Sequence, residues 1–351
     1  MKITDLHIDG YHRVVKAEDA GSGLKAIIAI HNINLGPAVG GTRLFPYSTE
    51  EEAMNDVLRL SKGMTYKSAL ADTGFGGGKS VIIAKPEDKT PELFKAFGKF
   101  VDSLGGEYIC AEDVNTSPTD MEIVHSVTPH VLGLDGAGGD PSPLTALGVV
   151  ESIWVTAAEL GIKPADLSVT IQGIGHVGQD MTRMLRAKGA TVYITDLRAE
   201  AVAKLAEETG AIAIPADQAL TKECDIFAPC AMGAILNDDT IPTLKCKAIA
   251  GCANNQLAEP RHGEMLKSAG ILYAPDYLVN AGGIINVSVE HREEGYDKDL
   301  AHAKVVAIGD TLKEVYDLAK EKGITPEQAA DPIAEERFMH PEDPKLKLVK
   351  A

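Results

Sequence analysis

Two lysines and an aspartate stand in segments that are otherwise glycine-rich or apolar. Lys79 follows three glycines in TGFGGGKSVII, Lys67 lies twelve residues earlier in LSKGMTYKSAL, and Asp113 closes the apolar run in YICAED. A single lysine is most often a surface charge. Two ammonium groups and a carboxylate brought together can handle a small zwitterion. One cation holds a carboxylate, the second polarises an oxygen on the α-carbon, and the acid moves protons to and from nitrogen. A lysine partly desolvated beside another cation also titrates closer to the working pH. The GGGKS core invites comparison with a phosphate-binding loop, but that motif needs a glycine five residues before Gly78, and Thr73 is there instead. A phosphate loop also leads from strand to helix, whereas this lysine leads into the apolar run VIIA. The glycines fit a backbone that a small substrate approaches closely.

A separate site for a dinucleotide is legible in SVTIQGIGHVGQDMTRML. Gly173, Gly175 and Gly178 have the G-x-G-x-x-G spacing, with His176 and Val177 between the last two, after an apolar strand and at the start of an amphipathic helix. The first glycine allows the tight turn, the second lets pyrophosphate approach, and the third lets helix and strand pack. The helix N-terminus adds positive partial charge. The alternative is a tight turn without a ligand. Asp196, eighteen residues beyond Gly178 at the end of TVYITD, can accept both ribose hydroxyls of NAD and would repel the extra phosphate of NADP. Arg198 nearby would soften that preference, or is simply a solvated arginine.

The elements that must position these residues follow from periodicity. KAIIAIHNINL, KSVIIAKP and YICAED read as strands. Thr49 to Glu52 is a capping box opening a helix with Ala53, Met54, Val57, Leu58 and Leu60 on one stripe. A second helix starts at Thr90–Pro91 and carries Leu93, Phe94, Phe97, Val101 and Leu104. Residues 133–143, GLDGAGGDPSP, form a Gly/Pro-rich break and the expected domain boundary. Beyond it, short apolar strands alternate with helices, the pattern of an α/β fold with an open, mostly parallel, doubly wound sheet. The last part is helical and charged, and ends in the basic KLKLVK.

The chain of 351 residues has room for two domains, and its net charge of −17 disfavours nucleic acid or an anionic membrane as partner. MKITDLHIDG lacks the apolar core of a signal peptide and no run approaches a membrane span, so a cytoplasmic location is expected. Five cysteines, four of them separated by five, fifteen and five residues, sit in apolar segments with spacings too wide for zinc. Buried thiols and no metal are expected.

GPAVGGTRL, LSKGMTYKSAL, GGGKSVI, AEDVNT, PCAMGAILN, AGCANNQL and YAPDYLVNAGGIIN, in this order over roughly residues 25–320, resemble the Glu/Leu/Phe/Val amino-acid dehydrogenases, and most closely the leucine and phenylalanine branch. The resemblance implies a substrate-binding and oligomerisation domain over 1–141, joined by a C-terminal helical segment from about 326 to 351. It implies an NAD-binding Rossmann domain over 142–325, with a cleft between the two. It makes Lys67 the holder of the substrate α-carboxylate, Lys79 the catalytic lysine and Asp113 the proton shuttle. Gly40 and Gly41 would line the substrate site. Asn280 would sit where substrate and nicotinamide meet, Thr145 near the nicotinamide amide, and Asn254 near the cofactor ribose or ring. The implied reaction is NAD-dependent, reversible oxidative deamination of an L-amino acid to a 2-oxo acid and ammonia by a homo-oligomer, an octamer or a dimer.

One departure bears on substrate. Glutamate dehydrogenases of this family carry a lysine just before the Gly-Gly pair, and here that position is Val39. A side-chain carboxylate buried there without a partner would cost several kcal/mol, so an apolar pocket is expected and glutamate is disfavoured. Ala111 and Glu112 resemble the leucine enzymes, whereas Asn115 also resembles the phenylalanine and tryptophan enzymes, so leucine, valine and isoleucine are favoured, with aromatic side chains as the alternative. A 2-hydroxy-acid dehydrogenase and an inactive NAD-binding protein are the remaining alternatives.

Overall fold

The computed structural model describes residues 1–134 and 138–341. The middle of the Gly/Pro-rich break and the basic tail therefore lie outside the described residues. The chain divides into two compact units, Met1–Gly139 with Val287–Asp297 and the chain from Ala334 onward, and Asp140–Asn286 with Lys298–Ile333.

The first unit is built on β1 (Lys2–Leu6), β2 (Arg13–Asp19), β3 (Leu24–Asn32), β4 (Ala38–Phe45), α1 (Glu50–Leu70), β5 (Gly76–Ile83), α2 (Pro91–Asp102), β6 (Tyr108–Glu112) and α3 (Pro118–His125). Its sheet runs β1-β2-β3-β5-β4-β6. The pairs from β1 to β5 are antiparallel, and β4 lies parallel between β5 and β6. Alternation along β3 splits the core in two. Ile28 and Ile30 pack with Phe94, Phe97 and Phe100 of α2, while Ile27 and Ala29 pack with Ala53 and Val57 of α1.

Sequence signals locate α1 and α2 well but mislead on their neighbours. Thr49 caps α1 by accepting from Glu52 N at 3.1 Å, but Glu52 reaches back to Ser48 N at 2.8 Å, one residue earlier than a closed capping box. The helix runs on to Leu70 and so carries Lys67 in its last turn. The strand expected to begin at Lys79 begins at Gly76, and AVGGTRLF is itself a strand. Glycine is a poor strand former, and these glycines are in strands because their neighbours leave no room for a side chain. A Cβ on Gly77 would lie 2.1 Å from Thr65 N of α1, and one on Gly78 would lie 2.7 Å from the Tyr108 ring.

The second unit begins with α4 (Ser142–Glu159), β7 (Ser168–Gln172), α5 (His176–Ala187), β8 (Thr191–Thr195), α6 (Ala199–Thr209), β9 (Ile212–Ala213), β10 (Ile226–Pro229) and β11 (Ala248–Ile249). It continues with α7 (Arg261–Ser268), β12 (Leu272–Tyr273), α8 (Asp276–Val279), α9 (Gly282–Glu290), α10 (Lys298–Val306), α11 (Ile308–Lys322) and α12 (Pro326–Met339). All strand pairs are parallel, in the order β12-β11-β10-β7-β8-β9. Strand β7 therefore lies where the winding reverses, the position at which such sheets bind ligands.

The division between units falls inside α9 and α12. The C-terminal return was expected from about residue 326, whereas the first unit takes the chain back at Ala334. It also takes Val287–Asp297, a return that no local pattern announces. Among the described residues no helix is long and apolar enough to cross a membrane.

Candidate active site

Parallel register brings the charged residues of the first unit onto one face of its sheet. Val39 pairs with Gly77 and Ile109, and Gly41 with Ala111. Continuing the β4–β5 register puts Gly41 beside Lys79. Val39, Gly41 and Arg43 of β4 thus share a face with Gly77 and Lys79 of β5 and with Ile109 and Ala111 of β6. Lys79 Nζ lies 2.9 Å from Asp113 Oδ2 directly over Gly41. A Cβ at Gly41 would sit 2.7 Å from Asp113 Cβ and 3.1 Å from Lys79 Nζ. Gly40, expected to line the same site, faces the other way. Its missing side chain makes room for the Gly78 carbonyl, and its own carbonyl accepts the Tyr108 hydroxyl at 2.7 Å.

Lys79 is only 6% exposed. Burial pushes its ammonium below the usual lysine range, and Asp113 only partly opposes this. For Asp113, burial alone favours the neutral acid. The Lys79 and Arg43 cations outweigh it and hold the carboxyl below its usual range. Asp113 is fixed by its backbone, whose N–H donates to Thr116 Oγ1 at 2.8 Å while that hydroxyl reaches Thr42 O at 2.9 Å. Lys67 is half-buried in the last turn of α1, the helix whose Thr65 backbone rests on Gly77 two residues before Lys79.

Beside the ion pair on the same face is an apolar cluster of Val39, Phe75, Ile109 and Leu132, with Ala111 and Val287 packed against it. Val39 and Ala111 stand out from sequence. Phe75 and Leu132 do not, nor does Val287, which reaches the cluster from far along the chain. Arg43 also escapes sequence reasoning, although its place two residues after Gly41 in a strand gives it the same face. Asn115 has no place in the apolar cluster. It takes a left-handed conformation (φ 58°) and donates Nδ2 to Leu44 O at 3.1 Å, so its identity reports a turn.

In the second unit the glycine motif follows β7. Gly173 has φ 98°, and a Cβ on Gly178 would lie 2.2 Å from Gly173 O. Gly175 is the N-cap of α5, and nothing lies within 4 Å of where its Cβ would be. The result is an open approach to unpaired helix N–H groups. His176 is exposed, with its ring 3.8 Å from Asp140, and Val177 is half-buried. Asp196 accepts Ile174 N at 3.0 Å, and Arg198 grips it through its backbone N–H and through Nε at 2.9 Å. Hydrogen bonding by Arg198 is the main reason the Asp196 carboxyl is held far below its usual range.

Asn280, the C-cap of α8, donates Nδ2 to Asn254 Oδ1 at 2.7 Å and to Cys252 O at 3.2 Å in the loop after β11. Gly282, just beyond Asn280, lets the start of α9 approach Thr145, whose Cα would lie 2.7 Å from a Cβ there. The structure therefore joins Asn254 with Asn280, and Thr145 with the glycines after Asn280. Open space at Gly175, a helix N-terminus and an ionised acid after the second strand fit a dinucleotide.

Of the five cysteines, Cys110 and Cys224 are buried and Cys230, Cys246 and Cys252 are half-buried. Among the described residues no cluster of three or more His, Cys, Asp or Glu side chains could hold a metal.

Both parts of the chain match family models. The Glu/Leu/Phe/Val dehydrogenase dimerisation domain matches residues 11–130, and the Glutamate/Leucine/Phenylalanine/Valine dehydrogenase domain matches residues 138–340. Leucine dehydrogenase of Geobacillus stearothermophilus is 48% identical over 334 residues, covering 93% of this chain and 90% of its own. Phenylalanine dehydrogenase of Caldalkalibacillus thermarum is 46% identical over 347 residues, covering 96% and 93%. The crystal structure of L-tryptophan dehydrogenase from Nostoc punctiforme superposes with a TM-score of 0.87 at 42% identity, covering 94% of this chain and 96% of that one. With both domains matched and nearly half of its residues shared over most of its length, the chain belongs to the Glu/Leu/Phe/Val dehydrogenase family and is an oxidoreductase acting on amino acids.

Proposed function

We propose that the protein catalyses the NAD-dependent, reversible oxidative deamination of an aliphatic L-amino acid, leucine, valine or isoleucine, to the 2-oxo acid and ammonia. The observation that carries this reading is the buried Lys79–Asp113 pair lying over Gly41 and beside an apolar cluster that includes Val39 and Ala111. Gly173 to Gly178 and Asp196 would hold NAD, which would supply the hydride acceptor. Thr145, Asn254 and Asn280 would contribute polar groups to the nicotinamide end of that site. Lys67 holds the substrate carboxylate. Lys79, made less basic by burial, activates water for attack on the α-carbon and steadies the oxygen that forms. Asp113, held ionised, takes and returns the proton of the substrate nitrogen.

The apolar cluster of Val39, Phe75, Ile109 and Leu132 contains no cation for a side-chain carboxylate, so glutamate is rejected through an unpaired buried charge. A second reading, an aromatic amino acid as substrate, draws support from the phenylalanine and tryptophan dehydrogenases, which resemble the chain nearly as well as the leucine enzymes do. The protein works as a cytoplasmic homo-oligomer, an octamer or a dimer, which light scattering distinguishes.

A panel of L-amino acids with NAD at alkaline pH, read as NADH absorbance, tests the reaction and its substrate together. Leucine, valine and isoleucine should give the highest kcat/KM. Lys79→Ala should lower kcat by roughly a hundredfold or more, and the reverse reaction should require ammonia. Absence of turnover with every apolar amino acid, in folded protein that binds NAD, would overturn the proposal.

A further inference from the structure

The ion pair at Lys79 continues beyond Asp113. Asp113 Oδ2, 2.9 Å from Lys79 Nζ, also accepts Arg43 Nε at 3.1 Å. Arg43 turns its other arm to Asp56 Oδ2 at 2.8 Å, and that oxygen accepts the Tyr47 hydroxyl at 2.7 Å. Arg59 closes the row on Asp56 Oδ1 at 3.0 Å. Charge thus alternates through Lys79, Asp113, Arg43, Asp56 and Arg59. Arg43 and Asp56 are 20% and 16% exposed at their side chains, so solvent screens the row poorly along most of its length, and only Arg59, at 65%, is largely in water.

We propose that Arg43 and Asp56 are positioning residues that set, in opposite senses, how readily the Lys79–Asp113 pair gives up and takes a proton. Arg43 fixes the carboxylate oxygen that Lys79 uses and competes for it. Its positive charge favours a neutral Lys79 and an ionised Asp113. Asp56 engages Arg43 and weakens that influence. Tyr47 fixes Asp56 without adding charge, its hydroxyl being kept protonated by burial and by Asp56. The catalytic meaning of the proton rests on the dehydrogenase reading above, but the charge coupling does not.

The other groups near the row leave these two in control. His31, on the same face of β3, is neutral, since burial lowers it to about 4, and it pairs with Thr65 Oγ1 at 2.9 Å. Tyr108 and Glu112 occupy the opposite face of β6 from Asp113 by alternation. Lys67, in the last turn of α1 whose Thr65 rests on Gly77 two residues before Lys79, is kept in every variant below and so sets the sign of neither shift. A brace that only held the fold would make loss of either partner, Arg43 or Asp56, act alike. A charge setting makes the two losses act oppositely.

The test uses Arg43→Gln, Asp56→Asn, the double variant and Arg43→Lys in the full-length protein. Two readouts are taken against pH. One is the rate of Lys79 acylation by acetic anhydride, followed by peptide mass spectrometry, which needs no turnover. The other is kcat/KM for deamination. The Lys79 midpoint should rise by about half a pH unit or more in Arg43→Gln and fall by a similar amount in Asp56→Asn. It should return near the wild-type value in the double variant and stay there in Arg43→Lys. The alkaline-activated limb of kcat/KM should follow the same shifts.

Shifts of the same sign, or no shift in either variant, would overturn the inference. Should Arg43→Gln fail to fold, the downward shift in Asp56→Asn and the unmoved midpoint in Arg43→Lys carry the decision. Opposite labelling shifts in a protein without deaminase activity would sustain the charge coupling while removing the proposed function. Deaminase activity without those shifts would do the reverse.

Discussion

Asp196 illustrates how a residue's type can be read correctly while its state depends on a neighbour. Its carboxylate, expected to meet the cofactor ribose, receives Arg198 Nε at 2.9 Å and Arg198 Nη2 at 3.1 Å, and the same guanidinium reaches Ile174 O at 3.2 Å. Arg198 is therefore more than a solvated charge, although 62% of its side chain is exposed. Where the acid meets the cofactor ribose as proposed, Arg198 would compete with the diol for it and would offer a cation to the additional phosphate of NADP. Its removal should expose an uncompensated carboxylate. Arg198→Ala is expected to raise KM for NADP about tenfold relative to NAD, the worth of one charge-assisted hydrogen bond. Paired steady-state kinetics with the two cofactors check this, and an unchanged NADP/NAD ratio would leave Arg198 without influence on selectivity. Asp113 and Lys79 are legible because a charge in an apolar or glycine-rich segment needs a reason. Asp56 is not, because an aspartate among the charges of EEEAMNDVLRL gives no such signal, and Arg43, although it follows the Gly-Gly pair in AVGGTRLF, reveals its partners only once strand and helix are paired.

At the scale of elements, β5 shows where local reading stops. GGGKSVII contains the right strand, but its first half is glycine, and only tertiary contact makes that half extended. The contact is with α1, where a Cβ on Gly77 would meet Thr65 N and Thr65 Oγ1 at 2.1 Å each. Backbone on both sides cannot yield, so Gly77→Ala should force α1 away from the strand and cost about 2–3 kcal/mol. Lys79, two residues on and on the same face, should move with it and lose activity. Gly63 provides the contrast within one helix. It is exposed in the middle of α1, with nothing within 4 Å of where a Cβ would stand, and Gly63→Ala should stabilise by roughly 0.5–1 kcal/mol. Urea unfolding midpoints of the two variants should therefore move in opposite directions. A neutral Gly77→Ala would mean that α1 does not depend on that close approach. The Rossmann strands are easier to read because short apolar runs between helices need no partner's identity to be recognised.

The whole molecule adds what neither residues nor elements disclose. Alternating strands and helices announce the second unit, whereas the return of Val287–Asp297 and of the chain after Ala334 to the first unit has no local signature, since it depends on contacts between distant segments. Stability carries a similar hidden term in Glu327, in the first turn of α12. Both its oxygens are buried without a hydrogen-bond partner, with Thr325 and its own N–H nearby but outside bonding geometry. Burial raises it from 4.5 to about 7, and Asp276 and Glu264 push in the same direction. A carboxyl raised on folding stabilises the native state below its unfolded value, and that stabilisation is lost as pH rises through the folded value. The loss should therefore run from about pH 4.5 to pH 7, opposite to Asp113 and Asp196, which weaken the fold only as acid protonates them. With the residue partly exposed, the difference across that window should be on the order of 2 kcal/mol. Glu327→Gln keeps the shape of the neutral acid and cannot ionise. Its melting temperature should match the wild type near pH 5 and exceed it by a few degrees (~2–6 °C) at pH 8. A difference that stays constant between those two pH values would show that Glu327 is already ionised throughout, and that the polar surroundings of α12, rather than its protonation, set its contribution to the fold.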